Sequence, residues 1–286
     1  MIILRVAALV FLFLAFFCFG APLQFVARQR GWPLARVVPV FFSRCLCRAL
    51  RIRVRSTGVG SVQTPRLIVA NHVSWTDILA LGTLEPLCFL AKSEVAGWPM
   101  FGTLARLQNT VFVERLRIRD IPAVNARIAQ RLHAGEPVVL FAEATTGDGT
   151  RVKRFHSSHF AAARDLMANH GKCAHVLVQP VALAYVRRNG LPLGRAGRAG
   201  LAWYGDMTLM PHLWTLLQGG PIDCEITFAA PLIYERGSNR KHVARLAELA
   251  VRHANAAAIG APVSRGVENE SSRRRRVSIL LDAETA

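Results

Sequence analysis

The chain has 286 residues, 52% of them hydrophobic, and a formal net charge of +18 at pH 7. That length suits one large α/β domain with an appendage, and so apolar yet so basic a chain argues against a purely soluble protein. Basic residues lie beside apolar segments and are not interleaved with exposed aromatics, so no nucleic-acid partner is expected.

Residues 6–26 contain no charge and reach roughly the 20 residues needed to span a bilayer core. Arg5 precedes them; Arg28, Arg30, Arg36, Arg44, Arg48, Arg51, Arg53 and Arg55 follow, and no acidic residue occurs before Asp77. This asymmetry predicts an inner or plasma-membrane protein with its bulk on the cytoplasmic side. Bulky Phe16, Phe17 and Phe19, with Pro22 just after Ala21, argue against a cleaved signal peptide. The expectation is a single spanning or deeply embedded helix. Residues 33–50 are apolar but carry Arg36, Arg44 and Arg48. They read as an amphipathic helix whose arginines meet anionic headgroups of the cytoplasmic leaflet, each worth about 1 kcal/mol; a core-packing helix with a solvated face is the alternative. Cys18, Cys45, Cys47, Cys88, Cys173 and Cys224 are scattered and read as reduced structural thiols. Cys45-x-Cys47 has no matching Cys/His pair, so no metal site is expected.

From Arg51 the pattern becomes α/β. Candidate strands are Arg51–Arg55, Leu67–Ala70, Leu87–Ala91, Thr110–Val113, Pro137–Phe141, His175–Tyr185 and Cys224–Phe228. Val124, Ile128 and Leu132 recur at helical spacing, as do Val243, Leu246, Ala247 and Ala250. The expected fold class is α/β: a mainly parallel sheet of about seven strands with helices on both faces, plus N-terminal membrane-anchoring helices. The implied divisions are 1–50 for the anchor, 51–262 for the α/β domain and 263–286 for a disordered basic tail around Arg273–Arg276. Ligands of such sheets gather at the carboxyl ends of strands, and His72 and Glu143 each follow a predicted strand there.

Asn71-His72-Val73-Ser74-Trp75-Thr76-Asp77 carries the strongest chemical signal. Ser74 and Asp77, ahead of Ile78-Leu79-Ala80-Leu81, form a capping-box variant that opens a helix. On one continuous helix, residues five apart would point about 140° from each other. With His72 in the loop instead, the chain can fold back and bring Asp77 to the imidazole. A carboxylate on one ring nitrogen would leave the other as a base. No serine or cysteine is poised as a nucleophile, so any activated hydroxyl would belong to a substrate. A helix-capping Asp beside an ordinary loop His remains the alternative.

Asn-His-x-x-x-x-Asp after an apolar strand resembles the first signature of the glycerolipid acyltransferases, the lysophosphatidate acyltransferase family. Three further stretches are similar to that family's later blocks, in order. Lys92-Ser93-Glu94 through Trp98-Pro99-Met100-Phe101-Gly102 and on to Val113-Glu114-Arg115 is similar to the second; Phe141-Ala142-Glu143-Ala144-Thr145-Thr146 to the third; Val178-Gln179-Pro180-Val181 to the fourth. The resemblance implies that His72 is the general base and Asp77 its orienting acid. Asn71, Lys92, Arg115, Glu143 and Thr145 would serve the substrate: Arg115 the headgroup, Lys92 a second positive charge, Glu143 the acceptor hydroxyls, Thr145 anionic oxygens.

Three departures stand out. Ala142 and Ala144 replace the usual Pro and Gly, and Ala144 is expected to avoid positive φ; Thr146 stands where the family usually has Arg, a charge that Arg151 or Lys153 could supply from nearby. The wording Thr146-Gly147-Asp148-Gly149-Thr150-Arg151-Val152, with Trp203-Tyr204-Gly205-Asp206-Met207, looks closer to the branch that completes ornithine lipid from its lyso form. Asp148 would then face an ammonium. The resemblance implies transfer of an acyl group from acyl-ACP or acyl-CoA, as co-substrate, to a lysolipid hydroxyl. It implies no further cofactor, no metal and no covalent enzyme intermediate. A hydrolase using the same pair, or a non-catalytic basic membrane binder, are the competing readings.

Overall fold

The computed structural model describes residues 2–260, apart from 59, 62, 99–100, 115–117 and 170–172. The expected basic tail and Arg115 therefore lie outside the described residues.

The chain begins with one continuous helical rod: α1 (Ile2–Ala15), a π-helical turn at Phe16–Gly20, and α2 (Ala21–Gln29). Among the described residues it is the one helix long and apolar enough to cross a membrane, and only 11% of its most apolar window is buried. Ile3, Leu4, Phe11, Leu14, Phe19 and Phe25 are exposed. The rod packs back on α3 (Leu34–Ala49), where Phe42 meets the rings of Phe13 and Phe16 at 5.8 and 4.0 Å.

Both ends of the rod are tied to the rest of the molecule. Near the start, Arg5 donates to the carbonyls of Leu217 and Gly219. At the other end, Gln24 Nε2 donates to Ala35 O (2.9 Å) and Arg28 donates to Arg106 O (2.8 Å). The face of α3 carrying Phe42, Ser43, Leu46 and Cys47 is buried, and the arginine-bearing face of the helix is turned outward, as an amphipathic helix requires.

The α/β domain follows as β1 (Ile52–Thr57), β2 (Arg66–Ala70), α4 (Thr76–Gly82), β3 (Cys88–Lys92), α5 (Phe101–Leu107), β4 (Val111–Val113), α6 (Ile121–His133) and β5 (Val138–Phe141). Then come α7 (Ala161–Asn169), β6 (His175–Arg188), β7 (Leu191–Pro192), α8 (Arg195–Ala199), α9 (Leu209–Gln218), β8 (Ile222–Phe228), β9 (Leu232–Glu235) and α10 (Arg240–Ala258). The strand order is β1-β8-β6-β2-β5-β3-β4, with β7 and β9 also on β6. All seven expected strands are present, and the described sheet has nine. The two unforeseen strands are short and pair antiparallel to β6, as β8 does, whereas the ladders from β6 through β4 are parallel.

Alternation along the strands divides the core. Leu67, Val69, Val138 and Leu140 face the layer of α6, α7 and α10. Ile68, Ala70, Val139 and Phe141 face the layer that includes α3 and α4. A sheet covered on both faces accounts for the near-continuous apolar runs of β2 and β5. Helices α3 and α4 approach closely because Gly82 has no side chain; a Cβ there would lie 2.7 Å from Ser43 Oγ.

Pro180 sits deep inside the 14-residue β6, not on an edge strand. It pairs with Val69 on the β2 side. On the other side it falls where β6 hands over from β9, paired through Val178, to β8, paired from Val181. That gap in the outer ladder is where a residue lacking an N–H fits.

Candidate active site

β2 and β5 run side by side in parallel, with Ala70 in register with Phe141. The loops leaving their carboxyl ends carry His72 and Glu143. Asp77 lies in the first turn of α4, and its Oδ2 gathers three donors. Val73 N–H approaches at 2.6 Å, Ser74 N–H at 2.9 Å and His72 Nδ1 at 2.8 Å. The Ser74 contact is the carboxylate half of a capping box. Helix capping and imidazole holding are thus the work of one oxygen, and the two readings left open by the sequence coexist.

With Nδ1 donating to a carboxylate, the lone pair of the imidazole is left on Nε2. Nε2 has no hydrogen-bond partner among the described residues. The ring stacks on Phe141, centroids 3.9 Å apart and planes inclined by 13°. It is therefore held by a hydrogen bond at one edge and an aromatic face on its flat side, a geometry in which Nε2 can accept a proton.

The buried Asp77 is completed from a distant strand. Tyr185 of β6 donates its phenol to Oδ1 at 2.7 Å and lies 2.6 Å from Thr76 Oγ1. Burial first, then the neighbouring Asp77 charge, holds the Tyr185 phenol well above its ordinary pKa, so it stays a donor. Tyr185 was not among the residues singled out from sequence. The available signal was a tyrosine within the apolar run Val181–Val186, because a buried phenol needs a polar partner.

Glu143 is buried beside the same loop. Its Oε1 accepts the His72 N–H at 3.2 Å, while Gly147 N–H donates to the His72 carbonyl at 2.8 Å. The third-block turn thus grips the backbone of His72 from both sides. Glu143 Oε2 is buried and has no hydrogen-bond partner among the described residues. Burial pushes its carboxyl up to about 7, countered in part by the His72 and Lys153 N–H groups and the Lys153 ammonium.

The turn itself corrects one expectation. Ala144 adopts φ of +57° and does not avoid the left-handed region. The reversal that must place Glu143 under His72 imposes that conformation whether or not a glycine is available. Thr145, just beyond, is exposed. Lys153 donates to Thr146 O at 2.9 Å, and so lies against the position where the family usually has Arg. Asp148 is held by the Thr150 hydroxyl and N–H (2.7 and 2.9 Å), and the Thr150 hydroxyl is the leading cause of its lowered pKa.

Asn71 has a structural task beside the expected one. Its amide makes a two-way clip to the backbone of Leu183, donating to the carbonyl at 2.9 Å and accepting the N–H at 2.8 Å. The clip fastens the start of the His72 loop to β6. Lys92 ends β3 on the same edge of the sheet, half-exposed and paired with Glu94 at 2.6 Å.

A further tie came from outside the recognised blocks. Trp203 N–H donates to the Val73 carbonyl at 2.9 Å. Trp75 Nε1 donates to His212 Nδ1 at 3.0 Å, joining α9 to the catalytic loop.

An acyltransferase family model matches residues 51–184, the span holding all of these loops up to β6. The chain is 43% identical over 251 residues to a lyso-ornithine lipid O-acyltransferase of Brucella abortus, covering 88% of this chain and 92% of that protein. It is 41% identical over 225 residues to the protein of the same description from Rhizobium meliloti, covering 79% and 77%. A 1-acyl-sn-glycerol-3-phosphate acyltransferase of Neisseria gonorrhoeae is 32% identical over 162 residues, 57% of this chain and 58% of that one. The crystal structure of the 1-acyl-sn-glycerophosphate acyltransferase of Thermotoga maritima superposes with a TM-score of 0.64 at 20% identity, covering 92% of this chain and 98% of that one; this is a likeness of fold. The chain belongs to the acyltransferase family. The Brucella and Rhizobium proteins share more of their sequence with this chain than the Neisseria protein does.

Proposed function

We propose that the protein is a membrane-bound lysolipid O-acyltransferase, and that His72 is its general base. The observation that carries this reading is the 2.8 Å contact from Nδ1 to Asp77, with Nε2 bonded to none of the described residues. Nε2 takes the proton of a lysolipid hydroxyl as that oxygen attacks the carbonyl carbon of an acyl thioester. The C–S bond then breaks, and the departing sulfur recovers the proton from the imidazolium that Asp77 has steadied. General-base assistance of this kind is worth about 10²–10⁴ in rate.

Backbone accounting narrows the oxyanion donors. The N–H groups of Val73 and Ser74 are taken by Asp77, that of His72 by Glu143, and that of Gly147 by the His72 carbonyl. Within these two loops the N–H groups of Trp75, Glu143, Thr145 and Thr146 are bonded to no described residue, and we assign the task to donors drawn from these four. Lys92, at the end of β3, supplies positive charge to the headgroup, as does Arg115 by the family resemblance. The thioester donor is acyl carrier protein or coenzyme A; either is acidic and is drawn to a chain of net charge +18.

The acceptor is lyso-ornithine lipid in this reading. Kinship to the Brucella and Rhizobium proteins supports it, as does Thr146 in place of the phosphate-directed Arg. Asp148 then receives the ornithine ammonium. The anchor lies in one leaflet. A rod fastened to the domain by Arg5 at one end and by Gln24 and Arg28 at the other cannot also cross a bilayer core of about 30 Å. Its exposed phenylalanines and leucines enter the cytoplasmic leaflet from the side.

An acyl-transfer assay offering lyso-ornithine lipid and lysophosphatidate side by side tests the acceptor. Preference for lysophosphatidate would reject the ornithine assignment and leave the His72 mechanism standing; free fatty acid as the main product would reject both.

A further inference from the structure

At the opposite edge of the sheet from His72, a cavity of about 520 Å³ lies between the amino ends of β2, β3 and β5 and the α2–α3 hairpin. That volume is within the range of small-molecule sites. Arg28, Arg36, Arg66 and Arg131 line it, against two carboxylates, Glu85 and Glu136. Both carboxylates are already paired, Glu85 with Arg66 and Glu136 with Arg131. Two arginines therefore remain uncompensated. Arg28 donates to main-chain carbonyls, and Arg36 has no partner among the described residues.

Two of the lining side chains carry acceptors without donors, Gln24 Oε1 and Asn109 Oδ1, buried just behind the cavity wall. Neither is an artefact of amide orientation. Gln24 Nε2 donates to the Ala35 carbonyl, and Asn109 Nδ2 donates to the Glu136 carboxylate at 2.6 Å; in both amides the oxygen is the atom left over. At the mouth Trp32 is exposed, with the Arg30 guanidinium 5.3 Å from its ring centroid. A Trp–Arg pair beside exposed apolar helix is the mark of a headgroup boundary.

The chemistry that satisfies this set is an anion for the arginines joined to hydroxyl donors for the two amides. We propose that the cavity binds the headgroup of an anionic glycerophospholipid of the phosphatidylglycerol type. Its phosphate lies on Arg28 and Arg36, and its glycerol hydroxyls donate to Gln24 Oε1 and Asn109 Oδ1. This lipid is not a reactant. Arg66 lines the cavity at the start of β2, and His72 lies six residues on, in the loop past the far end of that strand, at most roughly 20 Å away at about 3.3 Å per residue. It pins the membrane hairpin to the base of the sheet, whichever lysolipid the catalytic edge accepts.

The test uses the full chain carrying His72→Ala, so that nothing turns over, in detergent. Isothermal titration is run with dihexanoylphosphatidylglycerol, dihexanoylphosphatidylcholine and inorganic phosphate. The expected result is binding of the phosphatidylglycerol at least tenfold tighter than either comparator, weakened tenfold or more by adding Arg36→Glu. Arg36 is exposed and bonded to no described residue, so the variant should fold; Arg36→Gln, read the same way, replaces it if circular dichroism shows otherwise. Equal binding by the Arg36 variant would overturn the proposal. So would phosphatidylcholine matching phosphatidylglycerol, or inorganic phosphate matching the lipid.

Discussion

Tyr185 donates its phenol to Asp77 across 108 positions of sequence, at 2.7 Å. The strand on the far side of β2 thereby completes an acid whose other oxygen holds His72. We expect Tyr185→Phe to cost about 1–3 kcal/mol of stability, since a buried carboxylate oxygen loses its donor. The imidazole would also lose alignment, lowering kcat between about 10- and 100-fold with KM nearly unchanged. Steady-state kinetics beside thermal melts separates the two effects; a variant that melts early but keeps wild-type kcat would confine Tyr185 to folding.

His72→Ala should remove the general base and lower transfer by about 10²–10⁴, with membrane association intact because α1–α3 are untouched. Asp77→Asn should be as damaging to rate, and should destabilise the protein as well. The N–H groups of Val73 and Ser74 also converge on that oxygen, and an amide is a weaker acceptor than a carboxylate. Sedimentation with vesicles and an acylation time course on the same preparations check both statements.

Glu143 gives the protein a pH-dependent stability of unusual sign. Its carboxyl is held up to about 7 against an ordinary 4.5. The folded state thus keeps a proton that the unfolded state has already released. Stability is greatest below about pH 4.5, as far as this group is concerned, and falls as pH rises towards 7. Each pKa unit is worth about 1.4 kcal/mol, so the total is about 3 kcal/mol. Glu143→Gln should flatten this window. Between pH 5 and pH 8 the melting temperature of the wild type should drop more than that of the variant, and a parallel fall in both would show that other groups set the slope.

Ala144 holds a left-handed backbone that costs a residue with a Cβ about 1–2 kcal/mol, and its side chain is exposed. Ala144→Gly should stabilise the turn, by about 0.5–1 kcal/mol once the greater freedom of glycine in the unfolded chain is set against the relief. A denaturant titration measures it. Destabilisation would mean that the methyl group packs to advantage.

If the N-terminal rod lies within one leaflet, single cysteines at positions 4 and 29, in a background with the native thiols replaced, should react with a membrane-impermeant maleimide from the same side of a sealed vesicle. Reaction of the two positions from opposite sides would establish a crossing.

What the sequence discloses here is what is local. Strand, loop, imidazole, capping acid and helix fall within fifteen residues of Leu67, so spacing alone brings His72 and Asp77 within reach of one another. Glu143 was legible for the same reason, as the residue two places beyond a buried strand. Tyr185, Leu183 and Trp203 were not, because their contacts with the His72 loop depend on β6 lying beside β2 and on the chain returning after α8. A single chain does not state that adjacency. The strands missed were the two-residue β7 and the four-residue β9, too short to show a period. The clip from Asn71 to Leu183 was likewise invisible, because it too depends on β6 lying beside β2. Hydropathy gave the length of the apolar rod but could not give how it lies on the domain, which is set by the guanidinium of Arg5 and by contacts at residues 24 and 28.

One oxygen of Asp77 both caps a helix and holds the His72 imidazole, so that in the proposed mechanism it aims the base. The reactive group is therefore not assembled from parts that could be misaligned independently. A nascent or partly denatured chain carries an inert histidine, and competence arrives together with the first turn of α4. On that mechanism the enzyme gains a safeguard against wasteful hydrolysis, since whatever unravels that turn also disarms it.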